Sequence, residues 1–144
     1  MARKDEEKGI KIIAKNKRAF HDFEISETWE AGMVLLGTEV KALRNGRVNL
    51  GDSYGEIIQS EAWVLKVHIG PYEMAHRENH EPFRRRKLLL SKREIRKIRP
   101  KIEEKGLTLV PLKIYWKNGK VKLELGMGRG KKHHDKRETK AKKD

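Results

Sequence analysis

The sequence predicts a mainly β protein: a small OB-like antiparallel β-barrel of about six strands, two or three short helices and a disordered basic C-terminal tail. Three observations carry this. Apolar residues recur at period two in short runs, most clearly in Ala62 to Ile69 and Leu107 to Leu125. The second run is interrupted by Asn118-Gly119, the strongest hairpin-turn dipeptide. No strand pattern alternates with long helical patterns, so parallel βαβ units are excluded and a closed or nearly closed barrel is favoured.

Taken in order, Met1 to Gly9 is charged and reads as a disordered leader. Ile10 to Ile25 holds a strand pair or one long bent strand, with His21, Phe23 and Ile25 on one face. Ser26 suits the N-cap of a short helix through Glu30, with Gly32 at its C-terminal end and Met33 to Leu36 as a short strand. Thr38 to Arg44 reads as a second helix. Glu39 lies in its first turn, Arg44 in its last and Gly46 just beyond, all suited to the helix dipole and a left-handed cap. On it Val40 and Leu43 face inward, and Lys41, Arg44 and Asn45 share another face.

Val48 to Leu50 and Ser53 to Ile58 form one strand bent at Gly51-Asp52. After a turn at 59–61, Ala62 to Ile69 places Trp63, Leu65, Val67 and Ile69 on its inner face. Tyr72 to Arg86 has no period and reads as a functional or mobile loop. Ser91-Lys92-Arg93-Glu94 is a capping box that starts a helix. Ile95, Ile98 and Ile102 are its buried stripe, and Pro100 predicts a kink or a split into two. Leu107 to Trp116 follows, with Val110, Leu112, Ile114 and Trp116 inward, and Val121, Leu123 and Leu125 return from the turn. The expected division is therefore a leader at 1–9, a barrel at 10–128 and a tail at 129–144, with Gly126 to Gly130 as a loose joint.

The chain has 144 residues, 35 Lys and Arg against 21 Asp and Glu, and a net charge of +14. Such a chain repels itself unless it meets a polyanion, and nucleic acid is the first choice. No apolar run approaches the roughly 20 residues that span a bilayer, and no signal peptide is visible, so a cytoplasmic location is expected. With no cysteine, disulfides, thiolate catalysis and Cys-based zinc sites are excluded. His76 and His80 have metal-compatible spacing around Glu78, but no helix or further ligand set supports them, so no metal and no cofactor are expected. His133-His134-Asp135 lies on a glycine-preceded arm where nothing holds a catalytic geometry, so no enzyme activity is expected either. Gly126-x-Gly128-x-Gly130 has no βαβ context and is not a dinucleotide loop. Lys17, Arg18, Lys41, Arg44 and Arg47 are candidates for a phosphate-binding patch. Arg84, Arg85, Arg86 and Lys87 are a dense basic run whose mutual repulsion favours RNA contact.

Several blocks read together resemble one family. They are Asn16-Lys17-Arg18-Ala19, Gly37 to Arg44 with Gly46, Asp52-Ser53-Tyr54, Arg86 to Leu90, Gly106 to Asn118, which includes Leu112 to Asn118, and Gly130 to Arg137. In order and spacing they resemble the SmpB (small protein B, SsrA/tmRNA-binding protein) family, over about Ile10 to Arg137. The resemblance implies an OB-like barrel that binds the tRNA-like domain of bacterial transfer-messenger RNA (tmRNA) at its elbow and D-loop. It implies delivery to stalled ribosomes for trans-translation, and a tail that occupies the decoding centre and empty mRNA channel. EF-Tu and alanyl-tRNA synthetase are implied only indirectly, through charged tmRNA, and the protein is expected to be a monomer.

By the same resemblance, Glu30, Leu89 and Ser91 join the RNA-binding set. A carboxylate there accepts from a base amino group or a 2′-hydroxyl, which Lys and Arg cannot do. At Ser91 the family usually has Asn; Ser keeps a donor and an acceptor with less reach. In the tail, Gly130, Lys131, Lys132, His134, Asp135, Lys136 and Arg137 are expected to contact the ribosome. His134 would stack on a base, and Lys136 and Arg137 would meet rRNA phosphate. The alternatives are a structural ribosomal protein or a general RNA-binding protein.

Overall fold

The computed structural model describes residues 9–75 and 78–131. The first half holds β1 (Ile10–Lys15), α1 (Lys17–Asp22), β2 (Phe23–Met33), α2 (Gly37–Arg44), β3 (Val48–Asn49), β4 (Tyr54–Ile58) and β5 (Glu61–Leu65). Then come β6 (His68–Ile69), β7 (Arg86–Leu89), α3 (Lys92–Glu103), β8 (Thr108–Lys117) and β9 (Lys120–Gly130).

The Asn118-Gly119 turn forms as its sequence requires, with φ of 51° and 79° at its two residues. It joins β8 and β9 in antiparallel register from Lys117↔Lys120 to Thr108↔Gly128. Six strands close on themselves in the order β8, β4, β5, β7, β2, β9 and back to β8, while β1 adds to the outside of β8. All these pairings are antiparallel, and the ring meets the expectation of about six strands. The short pair β3 and β6 stands apart as a second sheet. Inside lie Ala31, Ala62, Val64, Leu88, Leu109, Ile114, Leu123, Leu125 and Met127, with Leu43 from α2 and Ile98 from α3.

Several expected elements differ. The segment from Lys17 to Asp22 is a helix, held at its start by Asn16. The buried Asn16 amide donates to the carbonyls of Leu50 and Pro111, at 3.3 and 2.9 Å. The helix expected from Ser26 is instead the middle of β2. Local capping propensity is overridden there by pairing with β9 over Phe23↔Gly130 to Gly32↔Lys122. Ser26 sits at a bulge and its hydroxyl donates to the Met127 carbonyl at 3.1 Å. The strand expected through Leu36 ends at Met33. The inward residues of α2 are Glu39, Ala42 and Leu43, with Val40 half-buried.

The run Ala62 to Ile69 is broken at Lys66, whose φ of 63° turns the chain over. Ala62 and Val64 are therefore inward before it, and Val67 and Ile69 after it; Trp63 and Leu65 are only half-buried. A bulge between Pro111 and Lys113 acts similarly in β8. Leu109 and Ile114 reach the main core, while Val110 and Leu112 pack with Ala19, Phe23 and Ile25 under α1. Helix α3 starts on its capping box, Ser91 Oγ accepting from the Glu94 amide at 3.1 Å and Glu94 accepting from the Ser91 amide at 2.9 Å. It runs through Pro100 as one helix, anchored by Ile98 in the core.

The glycines expected to loosen the chain do the opposite. Gly126, Gly128 and Gly130 all lie in β9, so the strand continues past the expected boundary at 128. A Cβ on Gly128 would stand 2.5 Å from the Glu24 carbonyl oxygen, and one on Gly126 would stand 2.8 Å from Leu112. Gly128→Ala is expected to destabilise the protein by about 1–3 kcal/mol, because backbone and not a flexible side chain must yield. Urea unfolding checks this; an unchanged midpoint would show that β2 can move away.

Candidate nucleic-acid interface

The basic run at 84–87 enters β7, and successive side chains of a strand point to opposite sides. It is therefore split in two. Arg84 and Arg86 turn inward onto Glu39 of α2, while Arg85 and Lys87 turn outward. The Arg86 and Glu39 side chains are both fully buried. The Arg86 guanidinium donates to Glu39 Oε2 and to the carbonyls of Val67 and Pro82, at 2.8 and 3.0 Å for the latter two. Arg84 Nη2 donates to Glu39 Oε1 at 2.5 Å, and the Leu36 amide donates to the same oxygen at 2.7 Å. Burial works to raise the Glu39 pKa; the bonds from Arg84, Leu36 and Arg86 outweigh it and hold the carboxyl below its usual range. Burial pushes the Arg86 pKa down, with Glu39 opposing. Arg86, expected to touch RNA, is thus corrected to a structural clamp: its charge is enclosed and every carbonyl it holds belongs to the fold.

The outward residues line up across neighbouring strands. On β2, Glu30 is exposed beside Tyr115 and Lys117 of β8. Tyr115 Oη donates to Glu30 Oε2 at 2.5 Å, and Lys117 Nζ donates to both carboxylate oxygens at 3.1 and 3.2 Å. Burial works to raise the Glu30 pKa, but the Tyr115 and Lys117 bonds prevail and hold it below its usual value. Glu30 is therefore an oriented, ionised acceptor at neutral pH.

Two residues along, Gly32 pairs with Lys122 on one side and Leu89 on the other. The absent Gly32 side chain leaves room for Leu89, whose Cβ lies 3.3 Å from where a Gly32 Cβ would be. Leu89 remains 55% exposed on the strand. On the same face, Lys87 pairs with Trp63 across β5 and bridges Glu61 at 2.5 Å. The Arg85 guanidinium lies 4.6 Å over the Trp63 ring. The result is a band of Lys122, Glu30, Leu89, Lys87 and Arg85 on Trp63. It offers cations for phosphate, one carboxylate for a base edge or 2′-hydroxyl, and apolar surface.

The other expected residues are spread over the surface. Lys17 and Arg18 are exposed on α1, and Arg18 faces Asp52 at 3.9 Å. Lys41 lies over Tyr72 at 5.4 Å and Arg44 over Trp116 of β8 at 5.9 Å. Ser91 follows Leu89 by two residues, and its hydroxyl is engaged in the α3 cap. Gly130 pairs with Phe23, and Lys131 is tied to α1 through its amide to Asp22 (2.7 Å) and its amine to Phe20 (2.8 Å). Lys132, His134, Asp135, Lys136 and Arg137 lie outside the described residues, as do most of the leader and His76. His80 Nε2 donates to the Ile69 carbonyl at 2.8 Å, and Nδ1 lies 2.9 Å from the Thr38 hydroxyl.

Sequence reasoning missed Trp63, Tyr115, Lys117 and Lys122 as parts of this band. One signal was available: aromatic residues interleaved with cations. All three tryptophans and all three tyrosines lie within 6.0 Å of a Lys or Arg head group.

The family described as SmpB protein matches residues 13–144. The chain belongs to the SmpB family. This SmpB-family chain is 53% identical over 136 residues to the SsrA-binding protein of Desulfitobacterium hafniense, covering 94% of the chain and 87% of that relative. It is 57% identical over 131 residues to the SsrA-binding protein of Syntrophotalea carbinolica, covering 91% and 87%. It also matches a solved structure described as "tmRNA-SmpB: a journey to the center of the bacterial ribosome". That match has a TM-score of 0.70 and 50% identity, over 83% of this chain and 85% of the other.

Proposed function

We propose that this SmpB-family chain is a tmRNA-binding adaptor of trans-translation. The band around Glu30 supports this most directly. It sets an oriented carboxylate and an exposed leucine among cations, a combination suited to reading a folded RNA and not merely its charge. The band and the α2 cations hold the tRNA-like domain. Residues from Lys132 onward enter the decoding centre and mRNA channel of the stalled ribosome. His134 stacks on a base, and Lys136 and Arg137 meet phosphate. EF-Tu and alanyl-tRNA synthetase are partners only indirectly, through charged tmRNA. The chain works as a monomer in the cytoplasm, and peptide transfer is left to the ribosome. Among the described residues, no helix is long and apolar enough to cross a membrane.

Removing Lys132 to Asp144 separates the two surfaces. The truncated chain is expected to bind the tRNA-like domain within about twofold of the full chain and to lose tagging of stalled nascent peptides. Binding is read by filter retention and tagging in a reconstituted translation reaction. Loss of tRNA-like-domain binding on truncation would refute the division of labour.

A further inference from the structure

Next to β5, the strand at which the Glu30 band ends, lies a groove with a different chemistry. Strands β4 and β2 stand three places apart either way round the six-strand ring. At the start of β4 the groove is lined by Asn49, Asp52, Tyr54, Lys66, His68 and Phe83. They come from five segments brought together only by the fold: β3, the turn after it, β4, the β5–β6 junction with β6, and the loop before β7.

We propose that this groove binds one unstacked nucleobase of single-stranded RNA. The proposal rests on the RNA-binding reading above and adds a site for single-stranded RNA distinct from the band. Four observations support it. The Phe83 ring is 56% exposed and its centre lies 4.8 Å from that of His68, tilted by 59°. An exposed phenylalanine beside a second ring is a stacking platform, which accepts any base face. Lys66 Nζ sits 6.0 Å over the Tyr54 ring, where a cation can turn to the phosphate of a bound nucleotide.

The backbone is also specialised here. Asp52 and Lys66, both lining the groove, have φ of 62° and 63°. Aspartate tolerates that conformation; lysine has no local hydrogen bond to favour it, and glycine would turn the chain with less strain. Lysine at this position places an amine at the groove. Finally, polar groups suited to a base edge line the same groove. Asn49 Oδ1 accepts from the Gly51 amide at 2.8 Å, which orients the side chain and leaves its NH2 group to donate. The Asp52 carboxylate is 81% exposed, with Arg18 at 3.9 Å as its ion-pair partner, and accepts from a base N–H. One donor and one acceptor complement any base edge that offers both, such as N6–H and N1 of adenine, N4–H and N3 of cytosine, or N3–H and O4 of uracil.

The test titrates the full chain with the homopentamers rA5, rC5 and rU5 while following its aromatic ring resonances by NMR. Resonances of Tyr54, His68 and Phe83 are expected to shift and saturate with all three, at the lowest concentration with rA5 because adenine stacks most strongly. Phe83→Ala, at an exposed position, is expected to keep the folded spectrum and to bind rA5 roughly tenfold more weakly. Groove resonances that stay still with every pentamer, or unchanged rA5 affinity in Phe83→Ala, would each overturn the proposal. Binding of the unmodified chain to the tRNA-like domain is measured alongside. Its failure would overturn the adaptor reading; its success with silent groove rings would overturn the groove alone.

Discussion

Glu39→Ala is expected to be the most damaging single substitution in the described structure, lowering the unfolding free energy by about 3–5 kcal/mol. The carboxylate is fully buried and receives Arg86, Arg84 and the Leu36 amide at once. Its removal leaves the buried Arg86 charge with only the Val67 and Pro82 carbonyls. The helix start at Leu36, the chain at Val67 and the loop at Pro82 then lose their common tie. Thermal unfolding should show a drop in Tm on the order of 10 °C. Replacing Glu39 and Arg86 together by leucine and methionine should be less harmful than Glu39→Ala, because no lone charge of that pair remains. Equal damage in both would show that packing, and not charge, holds this corner.

The same pair predicts acid sensitivity. The Glu39 pKa is held below its ordinary value in the folded protein. Its contribution to stability is therefore complete above about pH 4.3, the unfolded value, and is lost as pH falls through the lower folded value. In the Glu39→Gln variant that part of the acid dependence should vanish.

Glu30→Ala is expected to weaken binding to the tRNA-like domain by roughly 10- to 100-fold while leaving the fold intact. Glu30 is exposed, and its loss frees Lys117 to solvent without burying a charge. A purely electrostatic interface predicts the reverse, since removing a negative charge would tighten binding to RNA. The dependence on salt separates the two cases. Glu30→Ala should leave the slope of log K against log salt nearly unchanged, whereas Arg85→Ala or Lys87→Ala should reduce it by about one. Tighter binding by Glu30→Ala would mean that the carboxylate only balances its neighbours.

Local signals were legible wherever a short segment decides its own shape. The Ser91–Glu94 capping box and the Asn118-Gly119 turn formed as read, because their partners lie within three residues. The Ser26 helix and the single strand from Ala62 to Ile69 were not, because pairing with β9 and a left-handed Lys66 overrode the local pattern. The interface was legible in part. Glu30 and Leu89 came from family resemblance, and their surroundings of Tyr115, Lys117 and Gly32 became visible only in register.

The sequence by itself determined that this protein is a basic, mainly β RNA-binding chain of the SmpB type, since charge, periodicity and ordered motifs are all properties of the chain read in line. Only the tertiary structure decided which cations are free to meet RNA. Arg84, Arg85, Arg86 and Lys87 are equivalent as four letters. A strand directs alternate side chains to opposite faces, and Glu39, 47 residues from Arg86, sits beneath one of those faces. Long-range placement of a single carboxylate therefore turns half of an apparent RNA-binding run into the clamp that holds the fold.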